Sequence, residues 1–271
     1  MRVRIITAIL GIPLLLGIII VGGWVLKAAV CFISLVGIYE FYRAMDKKVN
    51  TIKPVGYVFT LSFILFTFPK VEWYFAFMVC FLFCIFLSII FFHEKYTIID
   101  GAITFIGFFY ICVLFSYILK VRNYAYGDVF IWLIFISAWG SDTGAYFTGI
   151  TIGKHKLCPN VSPKKTIEGA LGGVVGGALL ALLYGGVLLY FRNISIPNFL
   201  MVCAVIGAMG AIISQLGDLT ASSIKRLVDI KDYGKLFPGH GGVLDRFDSI
   251  LFTAPLVYYL IVLADAYLKI S

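Results

Sequence analysis

Charged residues are scarce in this sequence. Only 13% of its 271 residues are charged and 61% are hydrophobic, whereas ordinary soluble domains carry about 25% charged and roughly 45 to 50% apolar residues. A water-soluble fold cannot bury that much apolar surface. The shortage of charge therefore excludes an ordinary soluble domain and predicts an integral membrane protein.

Cysteine pairs in polar loops are also lacking. Five of the six cysteines lie inside apolar runs and only Cys158 falls in a polar loop, a spacing that indicates no zinc or disulfide framework. The formal net charge of +8 does not indicate nucleic acid, because the basic residues stand in short clusters between apolar runs, where membrane topology requires them. We therefore expect no nucleic-acid partner.

Long apolar runs dominate what is present. Charged residues, Gly and Pro divide them into nine candidate spans, which predicts an all-α, polytopic transmembrane helical protein. The first run resembles a signal peptide, but it is long and shows no small-residue cleavage site, so we interpret it as a retained span. The predicted spans are 5–22, 24–42, 54–69, 73–92, 99–119, 129–149, 167–190, 198–217 and 249–268.

Basic residues are distributed unequally between the two sides of the membrane that the nine predicted spans define. One side would hold sixteen Lys and Arg and the other six, which predicts a cytoplasmic N-terminus and an external C-terminus. Part of the excess is functional charge, and without the two richest loops the count is seven against six. We expect a protein of the inner cell membrane with a cytoplasmic active site.

Polar residues are concentrated in the second half of the chain. Residues 137–248 hold nearly all the polar clusters, so we predict an N-terminal and middle transmembrane scaffold over 1–128 and a catalytic transmembrane region with cytoplasmic loops over 129–271. A homodimer is a further expectation, since a glycine-rich span and a large apolar scaffold could form an interface. The same features also serve packing within one chain.

Three aspartates mark the segment 215–249. Asp245 and Asp248 are three residues apart and would share a helix face, and Asp218 joins them if their spans are neighbours. Neighbouring carboxylates repel one another unless a cation is shared, and Mg²⁺ with oxygen ligands is the natural cation beside a phosphate. Alternatively, the aspartates pair with nearby arginines or cap the last helix.

Glycines form a turn within the same segment. Pro238, Gly239, Gly241 and Gly242 surround His240, and backbone N–H groups in such a turn can approach an anion closely. A glycine-rich turn by itself is equally consistent with an ordinary connecting loop that binds nothing. His240 could donate to a phosphate oxygen or relay a proton, or it could only order the loop through a hydrogen bond.

A fourth aspartate, Asp142, lies inside an apolar span. A carboxylate there costs about 2.5 to 3.5 kcal/mol on membrane-insertion scales, so such a residue is a functional candidate. The alternative is a buried carboxylate that is hydrogen-bonded by Ser141, Thr143 or a neighbouring helix.

The loop 162–166 follows that span. It supplies a proline-stiffened turn, two lysine charges and hydroxyl groups, a composition suited to phosphate oxygens. A positive-inside anchor is the competing interpretation, and Glu168 is expected to pair with one of these lysines. Glycines with four-residue spacing on both sides of the loop predict tight helix packing, with a groove for lipid tails as the alternative.

The stretch from Ser222 to Ser249 closely resembles the C-terminal signature of the CDP-diacylglycerol synthase family, also called phosphatidate cytidylyltransferase. The segments that begin at Ser141 and Ser162 are also similar to family segments, so the resemblance covers 137–249. The signature residues present are Ser223, Lys225, Arg226, Lys231, Asp232, Pro238, His240, Gly241, Gly242, Asp245, Arg246 and Asp248.

The resemblance implies an enzyme that converts CTP and phosphatidic acid to CDP-diacylglycerol and pyrophosphate and requires Mg²⁺. The lipid phosphate attacks, so no protein nucleophile is expected. We expect catalytic roles for Asp218, Asp245, Lys225, Arg226 and His240, and metal binding by Asp218, Asp245, Asp248 and Asp142. We expect substrate binding by Ser162, Lys164, Lys165, Ser223, Lys231, Lys235, Gly241, Gly242 and Arg246.

Two alternative functions share part of this pattern. A prenyl-phosphate phosphosugar transferase also uses membrane aspartates and magnesium, but the C-terminal signature argues against it. A transporter usually shows repeated halves with polar breaks in both, whereas the polar groups here gather in one region.

Overall fold

The structure is a computed structural model that describes residues 2–66, 70–192, 194–237, 239 and 241–268. Helices account for most of these residues. They are α1 (Arg2–Val21), α2 (Gly23–Met45), α3 (Lys53–Leu65), α4 (Val71–Phe91), α5 (Ile98–Gly107), a π-helical turn (Phe108–Val113), α6 (Leu114–Arg122), α7 (Gly127–Thr151), α8 (Ile167–Phe191), α9 (Phe199–Leu227) and α10 (Leu244–Leu268). Two short strands, β1 (Lys156–Cys158) and β2 (Ser162–Thr166), lie between α7 and α8.

Each of the nine predicted spans contains a helix, and residues 67–69 at the end of the third lie outside the described residues. Among the described residues, six helical segments are long and apolar enough to cross a membrane. They are α2, α4, the continuous stretch Ile98–Arg122, α8, α9 and Leu244–Tyr267 of α10. The prediction of a mostly helical membrane protein is confirmed, and the total of nine spans stays a prediction.

Two helices extend beyond the predicted apolar runs. α9 continues past residue 217 to Leu227, because no Gly or Pro interrupts the stretch 218–227. α10 begins at Leu244 rather than at residue 249. The charged residues that end the apolar runs are therefore helical themselves, and Asp218 lies within α9.

The loop predicted around 162–166 is an antiparallel hairpin. Lys156 pairs with Thr166 and Cys158 with Ser162. Thr166 then starts α8, and its hydroxyl accepts the N–H of Gly169 at 3.1 Å, which satisfies one of the unpaired donors of the first turn. The prediction of an all-α fold missed this small sheet because its polar strands lack the hydrophobic alternation of a half-buried strand.

The chain divides into two compact units. The first unit comprises Met1–Ser116 and Leu227–Arg246, and the second comprises Tyr117–Arg226 and Phe247–Ser271. These boundaries differ from the predicted division at residue 128. That division separates scaffold from catalytic residues, and it stays a prediction.

The first unit has an aromatic core. The ring of Phe81 stacks on that of Phe59 at 4.5 Å and meets the edge of Phe108 at 4.7 Å. Phe108 opens the π-helical turn, a widened helical geometry found mostly as single turns. The buried Tyr42 hydroxyl donates to the carbonyl of Thr104 at 2.8 Å. The ring contacts join α3 and α4 to the π-helical turn, and the Tyr42 hydrogen bond joins α2 to α5.

The second unit is built on a close pair of helices, α7 and α8. A Cβ atom added to Gly176 would lie 2.7 Å from the carbonyl oxygen of Gly140 and 3.0 Å from the Cα of Gly144. Backbones that approach so closely require glycine on both helices. The predicted packing role of these glycines is confirmed, and it gives α7 a fixed position from which to present Asp142.

Candidate active site

Three aspartates from three helices come together in the second unit. Asp142 of α7 and Asp248 of α10 each interact electrostatically with Asp218 of α9, and Asp248 also interacts with Asp142. We call these three residues the aspartate cluster. The structure thus brings together three of the four predicted metal ligands.

Glycine allows α9 to approach α10 at this cluster. A Cβ atom at Gly217 would lie 2.6 Å from the carbonyl oxygen of Asp248, so any larger residue would push the two helices apart. One turn along α9, the hydroxyl of Ser222 donates to Oδ1 of Asp218 at 3.3 Å. The close crossing places Asp218 beside Asp248.

Two lysines oppose the charge of the aspartate cluster. The Nζ of Lys165, on β2, lies 2.5 Å from Oδ2 of Asp218, and both side chains are half-buried. Lys165 also attracts Asp142, and Lys225 attracts Asp248. The three carboxylates thus interact with two ammonium groups.

The hairpin that carries Lys165 is fastened at two places. The Nε of Arg226 donates to the carbonyl of Val161 at 3.4 Å, next to the hairpin turn. The carboxylate of Glu168 accepts the backbone N–H groups of Lys154 and His155 and contacts Nδ1 of His155 at 2.6 Å. The predicted pairing of Glu168 with a loop lysine is therefore wrong. Lys165 is consequently free of Glu168 and available to Asp218.

Gln215 is a site residue that the sequence prediction did not assign. Its amide nitrogen donates to Oγ of Ser141 at 3.2 Å and to the carbonyl of Ala170 at 3.1 Å, so it joins α9 to α7 and α8. The hydroxyl of Ser141 donates to the carbonyl of Ala211 rather than to Asp142. An amide inside an apolar span, three residues before Asp218, was the available signal.

Four other predicted residues lie on β2 or α9, the elements that carry Lys165 and Asp218. Ser162 is half-buried at the start of β2, Lys164 is exposed on the same strand, and Ser223 and Arg226 are exposed on α9. Their predicted catalytic or substrate contacts stay predictions. Asp142 is itself accessible at the surface of α7, which argues against the alternative of a carboxylate buried in a protein core.

Asp245, in the first unit, holds two backbone positions around the predicted glycine turn. Oδ2 of Asp245 accepts the N–H of Tyr233 at 2.7 Å and that of Gly242 at 3.0 Å. Gly241 has a φ of +91°, a conformation that side chains rarely adopt. These hydrogen bonds support the alternative in which Asp245 orders the start of the last helix. Metal binding by Asp245 stays a prediction.

Several predicted residues belong to the same part of the chain. Pro238 and His240 lie outside the described residues, so the role predicted for His240 stays a prediction. The predicted substrate-binding residues Lys231, Lys235 and Arg246 are exposed, and Gly241 is half-buried. The N–H of Gly242 donates to Asp245 and is thus engaged within the protein.

Glu40 is the second residue that the sequence prediction missed. It lies on α2 and is only 2% exposed. Its two carboxylate oxygens accept the N–H groups of Val243 at 3.1 Å and Leu244 at 3.0 Å, at the start of α10. The signal was present, because an acidic residue inside an apolar span is a functional candidate by the rule that singled out Asp142.

Magnesium can be tested against the donor atoms present. Across the described parts of the chain, no three Asp, Glu, His or Cys side chains are placed to hold a metal ion. Mg²⁺ is usually bound through one or two carboxylates together with waters and substrate phosphates. The oxygen-only donors of the aspartate cluster fit that pattern, and the Mg²⁺ requirement stays a prediction.

The fold and the cluster together define a class of protein: a mostly helical integral membrane protein in which carboxylates from three helices interact with two lysines. The model of the cytidylyltransferase family matches residues 2–264. The chain belongs to this family, and the predicted family resemblance and the predicted nucleotidyltransferase class are both confirmed.

Curated relatives cover almost the whole chain. The phosphatidate cytidylyltransferase of Bacillus subtilis (strain 168) is 34% identical over 277 residues, which cover 97% of this chain and 98% of the relative. The enzyme of the same name from Synechocystis sp. is 34% identical over 290 residues, or 96% of each chain. That of Staphylococcus aureus (strain COL) is 31% identical over 270 residues, or 97% of this chain and 99% of the relative.

Proposed function

We propose that this chain transfers the cytidylyl group of CTP to phosphatidic acid, giving CDP-diacylglycerol and pyrophosphate. An oxygen of the lipid phosphate forms a bond to the α-phosphorus of CTP, and the bond from that phosphorus to the pyrophosphate oxygen breaks. Membership of the cytidylyltransferase family over residues 2–264 carries this proposal. The relatives that align over nearly the whole chain are named for this activity.

The reaction brings two anions together, so positioning and charge neutralisation dominate the catalytic problem. Lys165 and Lys225 supply two ammonium groups at the aspartate cluster. We assign them to the oxygens of the triphosphate or of the lipid phosphate. Arg226 and the exposed lysines of the predicted set are assigned to the same anionic groups.

The aspartate cluster is assigned to Mg²⁺. The mutual repulsion of its carboxylates favours a bound cation, and carboxylate oxygens are the ligands that Mg²⁺ prefers. When bound, the metal neutralises phosphate charge and stabilises the leaving pyrophosphate. Lys165, which pairs with Asp218, would contribute its positive charge toward the phosphate oxygens beside the metal. We assign Asp245 of the first unit to the same reaction.

The membrane arrangement is also part of the proposal. We infer nine spans, a cytoplasmic N-terminus and a cytoplasmic active site in the inner cell membrane, supported by the sixteen-to-six distribution of Lys and Arg. A homodimer remains an expectation from the glycine-rich α8 and the apolar N-terminal helices.

Product analysis with the purified protein in lipid vesicles tests the function. CTP, phosphatidic acid and Mg²⁺ should give CDP-diacylglycerol and pyrophosphate in equal amounts, and removal of Mg²⁺ by a chelator should stop the reaction until Mg²⁺ is restored. A parallel reaction with a UDP-sugar and a prenyl phosphate should give no lipid-linked sugar. Sugar-phosphate transfer without CDP-lipid formation would replace the proposal, and solute flux without any nucleotide would favour a transporter.

A further inference from the structure

Glu40 occupies a position that a membrane protein rarely gives to a carboxylate. It lies within α2, a candidate membrane-spanning helix, and is almost completely buried. A buried carboxylate is tolerated only where hydrogen bonds replace its hydration. The replacement comes from the far end of the sequence, because the two oxygens accept the N–H groups of Val243 and Leu244. Glu40 therefore acts as a remote N-terminal cap for α10.

Glu40 is one of three side chains, two on α2 and one just after its last residue Met45, that hold the segment before α10. Nη2 of Arg43 donates to the carbonyl of Tyr233 at 2.5 Å, and Nζ of Lys47 contacts the carbonyl of Asp229 at 3.3 Å. Positions 40 and 43 lie three residues apart on one face of α2, and Lys47 lies in the turn that follows α2. We call the described residues of 229–244 the α10 lead-in. Two side chains of α2 and one from the turn after it thus hold successive parts of the lead-in.

The lead-in fits Glu40 closely. A Cβ atom added to Gly234 or to Gly242 would collide with Oε1 of Glu40, and one added to Gly234 would also lie 2.9 Å from the Cα of Gly242. The backbone on both sides of the glycine turn is therefore packed against one carboxylate. Only glycine at both positions leaves room for it.

The same backbone holds Asp245. Its Oδ2 accepts the N–H groups of Tyr233 and Gly242, and the carbonyl of Tyr233 is held by Arg43. Glu40 and Asp245 also repel one another electrostatically, which disfavours rotation of the Asp245 carboxylate toward Glu40. The orientation of Asp245 thus depends on a residue about two hundred positions earlier in the chain.

We propose that Glu40 is a positioning residue for the cytidylyl transfer, because it fixes the α10 lead-in and thereby the carboxylate of Asp245. The inference rests on the proposed function of Asp245. It gives α2 a role in the reaction in addition to its predicted role as scaffold.

The test compares Glu40→Gln with Glu94→Gln in lipid nanodiscs. Gln keeps the length of Glu, but it offers one acceptor oxygen and turns an N–H₂ donor toward a backbone N–H. Glu94 is exposed in the turn after α4 and serves as the matched control. Amide hydrogen exchange of peptides covering 233–244 reports how firmly Glu40 holds the α10 lead-in, and this measurement needs no enzymatic activity. It should accelerate by about tenfold in Glu40→Gln, since one buried hydrogen bond is lost.

Kinetics provide the second readout. Glu40→Gln should raise the half-saturating concentration of Mg·CTP by about fivefold or more, a shift that a smaller folded fraction alone does not produce. Glu94→Gln should match the wild type in both measurements. Unchanged exchange at 233–244 overturns the inference, and so does faster exchange with normal half-saturation or a loss of rate that only follows the folded fraction. Failure of the wild type to make CDP-diacylglycerol would instead overturn the proposed function. The exchange result would still show whether Glu40 holds the α10 lead-in.

Discussion

The ammonium nitrogen of Lys165 lies 2.5 Å from a carboxylate oxygen of Asp218. This ion pair joins the hairpin to α9 within the second unit, and Lys165 also attracts Asp142. Half-exposed ion pairs contribute only about 0 to 1 kcal/mol to stability. The main effect of the pair is therefore to place a positive charge beside the aspartate cluster.

Lys165→Ala should lower kcat/KM for CDP-diacylglycerol formation by about 10- to 100-fold, because one charged contact to phosphate is lost. The thermal unfolding temperature should change little. Lys156→Ala is the control, since Lys156 is exposed on the neighbouring strand β1. Equal activity of the two variants would remove Lys165 from the substrate-binding set.

Asp218→Asn should reduce the turnover number by about 10²- to 10³-fold, since it removes a charged ligand from the proposed metal site. Asp128→Asn is the matched control, because Asp128 forms an exposed ion pair with Arg192 at 2.7 Å. Its activity should stay close to that of the wild type. Initial rates of pyrophosphate release measure both, and near-normal turnover of Asp218→Asn would disprove the metal assignment.

Gly176→Ala should destabilise the second unit by about 1 to 3 kcal/mol, because the added methyl group has no room between α7 and α8. Gly186→Ala on the same helix should be neutral or slightly stabilising, because within the described part of the chain no atom beyond its chain neighbours and the nearby backbone of α8 lies within 4 Å of its Cβ position, and Ala favours helix. Thermal unfolding in detergent compares them. Equal unfolding temperatures would contradict the close backbone packing.

Cysteine labelling tests the orientation. With Cys158 replaced by Ser, Asn160→Cys in the exposed hairpin turn should react with a membrane-impermeant maleimide only after the cells are permeabilised. Arg192→Cys, at the exposed end of α8, should react in intact cells. This outcome follows from the excess of Lys and Arg on the hairpin side. The opposite labelling pattern would reverse the proposed topology.

The sequence predicted the positions of the helices well, because an apolar run of about 20 residues has few alternatives to a membrane helix. It predicted two helix ends poorly. Hydropathy falls where α9 reaches Asp218, yet backbone hydrogen bonding continues to Leu227. Hydropathy measures transfer to lipid, whereas a helix ends where its hydrogen bonds end.

The candidate site was partly predictable for a related reason. Asp142 was predicted from the cost of a carboxylate in an apolar span, and Asp218 and Asp248 from the expectation that neighbouring carboxylates share a cation; these three interact with one another in the structure. Glu40 obeys the same rule but lies in the apolar first half of the sequence, far from the polar clusters of residues 137–248. Its partners are backbone N–H groups that carry no residue-type signal, and a single sequence gives no indication of such a distant pairing.

Glu40 and its hydrogen-bond donors lie far apart in the sequence, and this separation constrains how the protein is synthesised. During synthesis at about 5 to 20 residues per second, the ribosome adds Glu40 203 residues before Val243, an interval of roughly 10 to 40 seconds. Throughout that time the carboxylate has none of the amide donors it holds in the finished molecule, so water or the insertion machinery must solvate or neutralise it. Final closure of the first unit therefore waits for translation of the last helix, however early α2 enters the bilayer.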